Sequence, residues 1–546
     1  MLTTYQNPEY DYIQSQEQQT GQAQQHVIAI IGAGPVGLTA ALDCAKRGIA
    51  CVVFDDNNTV SVGSRALCYA KRALEIWQRL GVAQPILDKG VNWQVGKNFF
   101  GETLAYQFDL LPEDGHQMPA MVNLQQYYLE EYLVNACQAE PLVDLRWKHR
   151  VEDLQQHDKG VTLTVTTPDG TFTTHADWVI ACDGAGSSMR DKVGAQFTGQ
   201  VFDDQFLIAD VVMKNDFPKE RWFWFDPPFH RNQSVLLHRE ADDVWRIDFQ
   251  LGNDADADYW KRPENVTPLL KQMLGDEVEF ELEWVSVYRF ACRRMENFCH
   301  GRVIFAGDAA HQVSPFGARG ANSGVQDTDN LIWKLQLVIQ GLAPPSLLDS
   351  YALERQFAAD ENIGHSTRAT DFITPKSRAS RIMRDAVLSL AREQAFARPL
   401  VNSGRLSTAT SYVDSPLSTP DTAGFNAPNA APGAFAPDAE ITCNGQQDWL
   451  LKHLGAGFVA LVFADNAAAA PLNVDGISVT PLVVGREIID SHNYLRQRYD
   501  GQPGTVYLIR PDQHIAGRWR HFDAQAISDA VRRATGNHSL NQERSA

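Results

Sequence analysis

The chain contains no run of about 18 consecutive apolar residues, which excludes a transmembrane helix. Its first 25 residues, MLTTYQNPEYDYIQSQEQQTGQAQQ, are polar and glutamine-rich and lack the apolar core of a secretory signal. They are expected to form an N-terminal arm (1–25), partly ordered by Tyr5, Tyr10 and Tyr12. An excess of basic residues is missing too. Net charge is -19 with a pI near 5.2, which argues against a phosphate-backbone partner and for an acidic, solubilising surface. A local basic pocket for an anionic substrate stays open. None of the 8 cysteines belongs to a Cys-x-x-Cys pair, so metal-site spacing and a compact disulfide framework are both absent. Reduced, mostly buried thiols in a cytoplasmic protein are the simplest account. There is no internal repeat.

What is present is too long for one core; at 546 residues, roughly three domains are expected. Val27–Ile31 reads as a strand, followed by Gly32-Ala33-Gly34-Pro35-Val36-Gly37 and a helix with Leu38, Ala41, Leu42 and Ala45 on one face. Gly32 makes the tight turn, Gly34 lets backbone approach a pyrophosphate, and Gly37 lets helix pack on strand. Amides at the helix start then offer partial positive charge to phosphates. Cys51–Phe54 is a second strand. Asp55 at its end lies where an acid accepts from a ribose 2′-hydroxyl. The bland alternative is a glycine-rich turn in an unrelated α/β domain.

Residues 70–81 and 377–396 read as helices, and 161–181 as a hairpin leading into a buried strand. Short aromatic and β-branched runs over 205–290 indicate an inserted antiparallel sheet. Val303–Ala306 is a strand ending at Gly307-Asp308, a position where α/β sheets bind ligands. The turn from Pro315 to Gly324 opens a long helix over Gly320–Gly341, whose first amides can stabilise negative charge. Residues 403–440 read as loop and linker. Residues 440–540 again mix strand and helix, closing on a helix from Ala524 to Ala534 capped by Asp523.

Three motifs in order resemble the single-component FAD-dependent aromatic hydroxylases, the family of p-hydroxybenzoate, phenol and 3-(3-hydroxyphenyl)propionate hydroxylases. They are Gly32 to Gly37, then Cys182-Asp183-Gly184 followed by Ser187-Ser188-Met189-Arg190, then Gly307-Asp308 with its proline-glycine loop. The resemblance covers residues 26–370. It implies an α/β fold with a Rossmann-type FAD-binding domain (26–200 and 298–370) and an inserted antiparallel-sheet substrate domain (201–297), followed by a helix and linker (371–430); the C-terminal extension also resembles that of the propionate-hydroxylase subgroup, which implies a C-terminal thioredoxin-like α/β domain (431–546). With Cys443 alone there, redox activity of the last domain is not expected; a structural or oligomerisation role fits better, and a homo-oligomer is compatible with it.

The resemblance further implies that FAD is held by Gly32, Gly34, Gly37 and Asp55, with Arg65 near the pyrophosphate. Asp183 and Gly184 would serve both FAD and NADH or NADPH, and Asp308 the ribityl chain. Pro315, Gly320, Ala321 and Asn322 would border the isoalloxazine. No metal is implied. The implied reaction is hydroxylation of a phenolic, expectedly carboxylated, aromatic compound by O2 through a flavin C4a-hydroperoxide. Arg246 is a candidate to grip a substrate carboxylate, or is a surface arginine on an alternating strand. Tyr288 is a candidate hydrogen-bond partner for a phenolate, or is a packed sheet tyrosine. His311 is expected to serve its loop. Trp222-Phe223-Trp224-Phe225-Asp226-Pro227 resembles the Trp-x-Trp motif of flavin-dependent halogenases with Asp226 in place of isoleucine; the other reading is an aromatic strand over the substrate cavity. Alternatives in function are a halogenase or reductase on the same fold, or a non-catalytic flavin-bound scaffold.

Overall fold

A computed structural model describes residues 2–214, 217–401, 406–421, 424–464 and 470–537. Residues 403–405 and 422–423 of the expected linker lie outside the described residues.

The first sheet is set by its apolar strands. Gln25–Ile31 sits at its centre, pairing in parallel with Cys51–Phe54 on one side and Gly170–Ala181 on the other. Val143–Arg146 extends the sheet beyond Cys51–Phe54, and Val303–Phe305 extends it beyond Gly170–Ala181, both in parallel. Runs such as Val52-Val53-Phe54 and Val179-Ile180-Ala181 are fully buried, as a parallel sheet covered by helices requires. The Pro35–Lys46 helix starts at Gly34, with Pro35 in its first turn, and packs against the Gly320–Ile339 helix. All four inner parallel strands point their C-terminal ends the same way. That is where this class of sheet binds ligands.

The second sheet has eight strands, but it is not confined to the expected 201–297 segment. Val95–Phe100 and Thr103–Asp109 form one edge, and His311–Gln312 forms the other. Val95–Phe100 pairs in parallel with Arg221–Phe225, so the sheet is mixed at that seam and antiparallel elsewhere. Alternation sorts its two faces. Leu207, Ala209, Val235, Leu237, Trp245 and Ile247 pack beneath the Pro263–Leu274 helix. The intervening residues, among them Phe206, Phe223, Phe225 and Leu236, cluster instead with Phe316 of the proline-glycine loop.

The third sheet, in the C-terminal domain, is centred on Phe458–Phe463, parallel to Ile477–Val484 and antiparallel to Val506–Ile509. Among the described residues it carries one helix longer than a turn or two, Ala524–Ala534, whose start is capped by Asp523 accepting from the Gln525 and Ala526 amides. The helix expected over 377–396 ends at Ala391. A 27-residue helix, Leu347–Ile373, has no counterpart in the sequence reading.

Residues 2–25 of the N-terminal arm pack onto the protein. Tyr5 stacks on Tyr127 at 4.2 Å between ring centroids, and Tyr10 on Trp147 at 4.6 Å. The Thr4 hydroxyl donates to Glu283 at 2.6 Å, and Glu17 accepts from Arg146 at 3.0 Å and Thr174 at 2.9 Å. The arm therefore straps the first sheet to the second. Among the described residues no helix is long and apolar enough to cross a membrane.

Candidate functional site

Four chain segments leave the C-terminal ends of neighbouring strands together: Gly32–Gly37 after Ile31, Asp55 after Phe54, Cys182–Gly184 after Ala181, and Gly307–Asp308 just beyond Phe305. Their glycines are dictated by contact. A Cβ on Gly37 would overlap the Gly32 carbonyl, and one on Gly32, whose φ is +104°, would stand 2.5 Å from the Cys182 carbonyl oxygen. Gly324 on the long helix comes so close to the Gly307 backbone that a Cβ there would lie 3.0 Å from its Cα. Gly34 and Gly184 differ: a Cβ on either would meet nothing within 4 Å. They border open space rather than packed protein.

The acids of this groove have little compensation. Asp308 is exposed along the groove, yet it lies deep enough in the fold that burial raises its carboxyl; Arg65 and His311 partly offset the rise. Its Oδ1 is 3.9 Å from where a Cβ of Gly320 would stand, which places it beside the start of the Gly320–Ile339 helix. Asp183 accepts from the Met189 amide at 3.1 Å through Oδ2, while Oδ1 is buried without a partner, and burial raises this carboxyl as well. Asp55 accepts from the Ala33 amide at 2.6 Å and the Asn57 amide at 2.9 Å, so it also braces the glycine turn. An open cradle with an orphaned carboxylate oxygen and free helix-start amides fits an extended ligand carrying both hydroxyls and phosphates. If this cradle holds the FAD that the sequence resemblance implies, Asp308→Ala is expected to weaken its binding about tenfold, the loss of a hydrogen-bonded charged group, as measured by flavin fluorescence on titration.

These loops are held by Asp327 and Arg355, which the sequence did not single out, together with His311 and Arg190, which it did. Asp327 accepts from the Gly307 amide at 2.9 Å, binds His311 at 2.7 Å and pairs with Arg355 at 2.6 Å, all buried. His311 thus serves its loop. Arg190 donates to the carbonyls of Ala185 and Ala309, both at 3.3 Å, tying the Asp183 and Asp308 loops together.

Pro315 is exposed in a short helical turn, and Ala318 takes a left-handed φ of 51° before the helix begins. Gly320 and Ala321 open that helix half-buried. The Asn322 side chain is turned to backbone rather than to the groove. Its amide donates to Cys68 O at 2.8 Å and Ala318 O at 2.6 Å and accepts from the Ala70 amide at 2.8 Å. The side chain is saturated by backbone, leaving only its main chain for a ligand.

Arg246 is also corrected: it is not a surface arginine, and its guanidinium is already paired. Nε and Nη2 donate to the Asp210 carboxylate at 2.8 and 2.7 Å, and Nη2 also donates to Ser64 O at 2.6 Å, beside Arg65. A second carboxylate, Glu240, stands 3.3 Å away. Tyr288 is half-buried opposite Phe206, on the face turned to Phe316, with its ring 6.2 Å from Trp284. Trp222 and Trp224 point to the opposite face and pack around Phe99, whereas Phe223 and Phe225 turn to the face that packs on Phe316 and the Arg378–Ala391 helix. In the C-terminal domain Cys443, Asp448 and His453 present ligand atoms within 4.8 Å of one another, but Lys452 also pairs with Asp448 at 3.2 Å.

A family model described as "FAD binding domain" matches residues 24–366. The chain is 32% identical over 340 residues to para-nitrophenol 4-monooxygenase of Pseudomonas sp. (strain WBC-3), covering 60% of this chain and 82% of that protein. It is 27% identical over 546 residues to 3-(3-hydroxy-phenyl)propionate/3-hydroxycinnamic acid hydroxylase of Klebsiella pneumoniae (strain 342), covering 95% and 97% of the two chains. Its fold matches the crystal structure of the flavin-dependent monooxygenase PieE in complex with FAD and substrate. The TM-score is 0.79 at 22% identity, over 94% of this chain and 99% of that one.

Proposed function

We propose a reaction on one premise: this chain belongs to the FAD binding domain family, and it is a flavin-dependent aromatic ring monooxygenase. The reaction we infer is hydroxylation of a phenolic ring with NADH or NADPH as reductant and O2 as oxygen donor. The observation that carries it is the convergence of Gly32–Gly37, Asp55, Asp183–Gly184 and Asp308 at the ends of adjacent parallel strands, roofed by the aromatic face of the second sheet.

When bound, FAD supplies the redox chemistry and the activation of oxygen. The chain's own residues then have separate tasks. Amides at the Gly34 helix start and the Arg65 guanidinium offset pyrophosphate charge. Asp55 and Asp308 accept from sugar hydroxyls, and Asp183–Gly184 borders the same groove. Backbone amides of Gly320, Ala321 and Asn322, with Pro315 beside them, stabilise negative charge at the ring system through the start of a 20-residue helix. Phe206, Phe223, Phe225 and Phe316 exclude water from the reacting face. Tyr288, opposite Phe206 in the strand register, is the proposed hydrogen-bond partner of a phenolic oxygen. A cytoplasmic location and a homo-oligomer fit this reading.

The test is NADH and NADPH oxidation by the purified yellow protein across a panel of phenols and phenolic acids, with peroxide measured alongside. Substrate-stimulated oxidation with little peroxide is expected. No stimulation across the panel would sink the hydroxylase reading.

A further inference from the structure

The face of the second sheet that looks toward Phe316 is not uniformly aromatic. Strand register assembles a polar row across it. His238 lies opposite Arg246, and Arg246 opposite Asp210. Asp248 lies opposite both Leu236 and Ile208, Phe223 opposite Asn98, and Asn98 opposite Tyr106. Arg221, two residues before Phe223, presents its side chain on the same face.

This row is short of partners in a way ordinary cores are not. Asn98 Nδ2, Tyr106 Oη, His238 Nδ1, Asp248 Oδ1 and both oxygens of Glu240 are buried without hydrogen bonds. Arg221 is only 5% exposed and has no hydrogen bond or ion pair among the described residues. A guanidinium withdrawn from water without a counter-ion is costly unless something supplies the charge. Orphaned donors and acceptors beside Phe223, Tyr106, Phe206 and Phe316 are the pattern of a ligand site rather than of a finished core.

The charge balance says which sign it takes. The Asp210 carboxylate neutralises Arg246. Burial pushes the Glu240 carboxyl well above the usual range, so it is held neutral. Burial pushes Asp248 up to about 7, and Arg246 and Arg221 only partly oppose it. Burial, with Arg221 and Arg246 close by, holds His238 neutral. Arg221 is left as the uncompensated charge of the pocket.

We propose that Arg221, rather than Arg246, anchors the anionic group of the aromatic substrate, a carboxylate or an acidic phenolate, in the pocket it shares with His238, Asp248 and Tyr106. A planar guanidinium accepts either oxyanion through paired N–H donors. The inference rests on the monooxygenase reading for the substrate's aromatic character, but its test needs only the flavin-loaded protein and no turnover.

The experiment titrates wild type, Arg221→Met and Arg221→Lys holoprotein with three probes, following the flavin absorbance change. The probes are 3-(3-hydroxyphenyl)propionate, 4-nitrophenolate and the neutral 3-ethylphenol. Arg221→Met is expected to weaken at least one anionic probe about a hundredfold, leave 3-ethylphenol within about threefold, and keep the wild-type flavin spectrum. Arg221→Lys should recover part of the loss, because the charge returns without the fork. Loss confined to the propionate identifies a carboxylate site, and loss confined to nitrophenolate a phenolate site. Equal weakening of all three probes, or of none, overturns the proposal. A wild-type protein without a flavin spectrum would instead overturn the monooxygenase reading.

The pH dependence is a second readout. Charged and titratable groups facing Asp248 are Arg246 on its own strand, Asp210, Arg221, His238, Glu240, Cys68 and Tyr106. As pH rises through about 7, Asp248 gains negative charge beside Arg221. Binding of 3-(3-hydroxyphenyl)propionate should weaken across that window in wild type and stay level in Asp248→Asn; the same slope in both proteins overturns the arrangement.

Discussion

Gly37→Ala is expected to yield a folded protein that comes off the column colourless. Gly37 sits in the first turn of the Pro35–Lys46 helix, where a Cβ would overlap the Gly32 carbonyl oxygen. That contact is backbone against backbone, and no side chain can rotate to relieve it. The helix must lift off the Gly32 turn, and the Gly34 amides that open it move with it. Overpacking of this kind costs about 1–3 kcal/mol. Because the displaced atoms are the ones proposed to face the phosphates, the cost is expected to fall on the bound state, a loss of roughly tenfold to a hundredfold in FAD affinity. The measurement is flavin content after gel filtration, with circular dichroism as the control for folding. Wild-type flavin occupancy in Gly37→Ala would sink the assignment of this turn. Gly34→Ala is the internal comparison: its Cβ would meet no protein atom, so any loss of flavin there reports the ligand's own approach to the backbone.

The same contrast explains what could be read without a structure. Gly32, Gly37 and Gly307 are required by local backbone geometry, and such needs are written into a few consecutive residues. Asp523 as a helix cap is equally local. The pocket on the second sheet is not. Arg221 and Asp248 share a face only through the register of three strands, and the seam to Val95–Phe100 joins segments more than a hundred positions apart. The sequence left Arg246 open between a substrate-facing arginine and a surface one, and its burial decides against the surface. Its neutralisation by Asp210 was not legible, because that partner comes from a different strand. The Leu347–Ile373 helix was hidden for another reason. Its buried side includes Glu354, Arg355, Asn362 and Ser366, so the apolar periodicity that announces a helix is interrupted by charge.

Those buried charges carry the other large expected effect. Arg510→Met should loosen the C-terminal domain from the flavin-binding domain. Arg510 donates to the two Glu354 oxygens at 2.6 and 2.9 Å and to Asp512 Oδ1 at 3.0 Å. Glu354 belongs to the Leu347–Ile373 helix, and it also accepts from Lys334 at 2.8 Å and Asn330 at 2.7 Å on the Gly320–Ile339 helix. Asp512 reaches back through its carbonyl to Arg72 at 3.1 Å, which pairs with Asp329 at 2.5 Å. One network therefore joins the C-terminal domain to the Gly320–Ile339 helix, whose first turn is proposed to border the flavin. Removing Arg510 leaves Glu354 and Asp512 buried with only Lys334 and His514 beside them, a loss of about 3–5 kcal/mol. Burial opposes charge on Glu354, but Arg510 and Lys334 outweigh it and hold this carboxyl below the usual range. Its folded value is depressed, so its contribution to stability is present above the unfolded carboxylate range and is lost as pH falls below it. Arg510→Met should erase that part of the acid dependence. The checks are thermal unfolding at neutral and acidic pH, and proteolysis of the 406–421 segment, which Ser415 ties to Glu354 at 2.6 Å. A lower melting temperature with early cleavage there is expected at neutral pH, and the gap to wild type should narrow on acidification. Unchanged melting and protease resistance would mean that the domain is held by its apolar contacts alone, Trp333 against Phe458 among them.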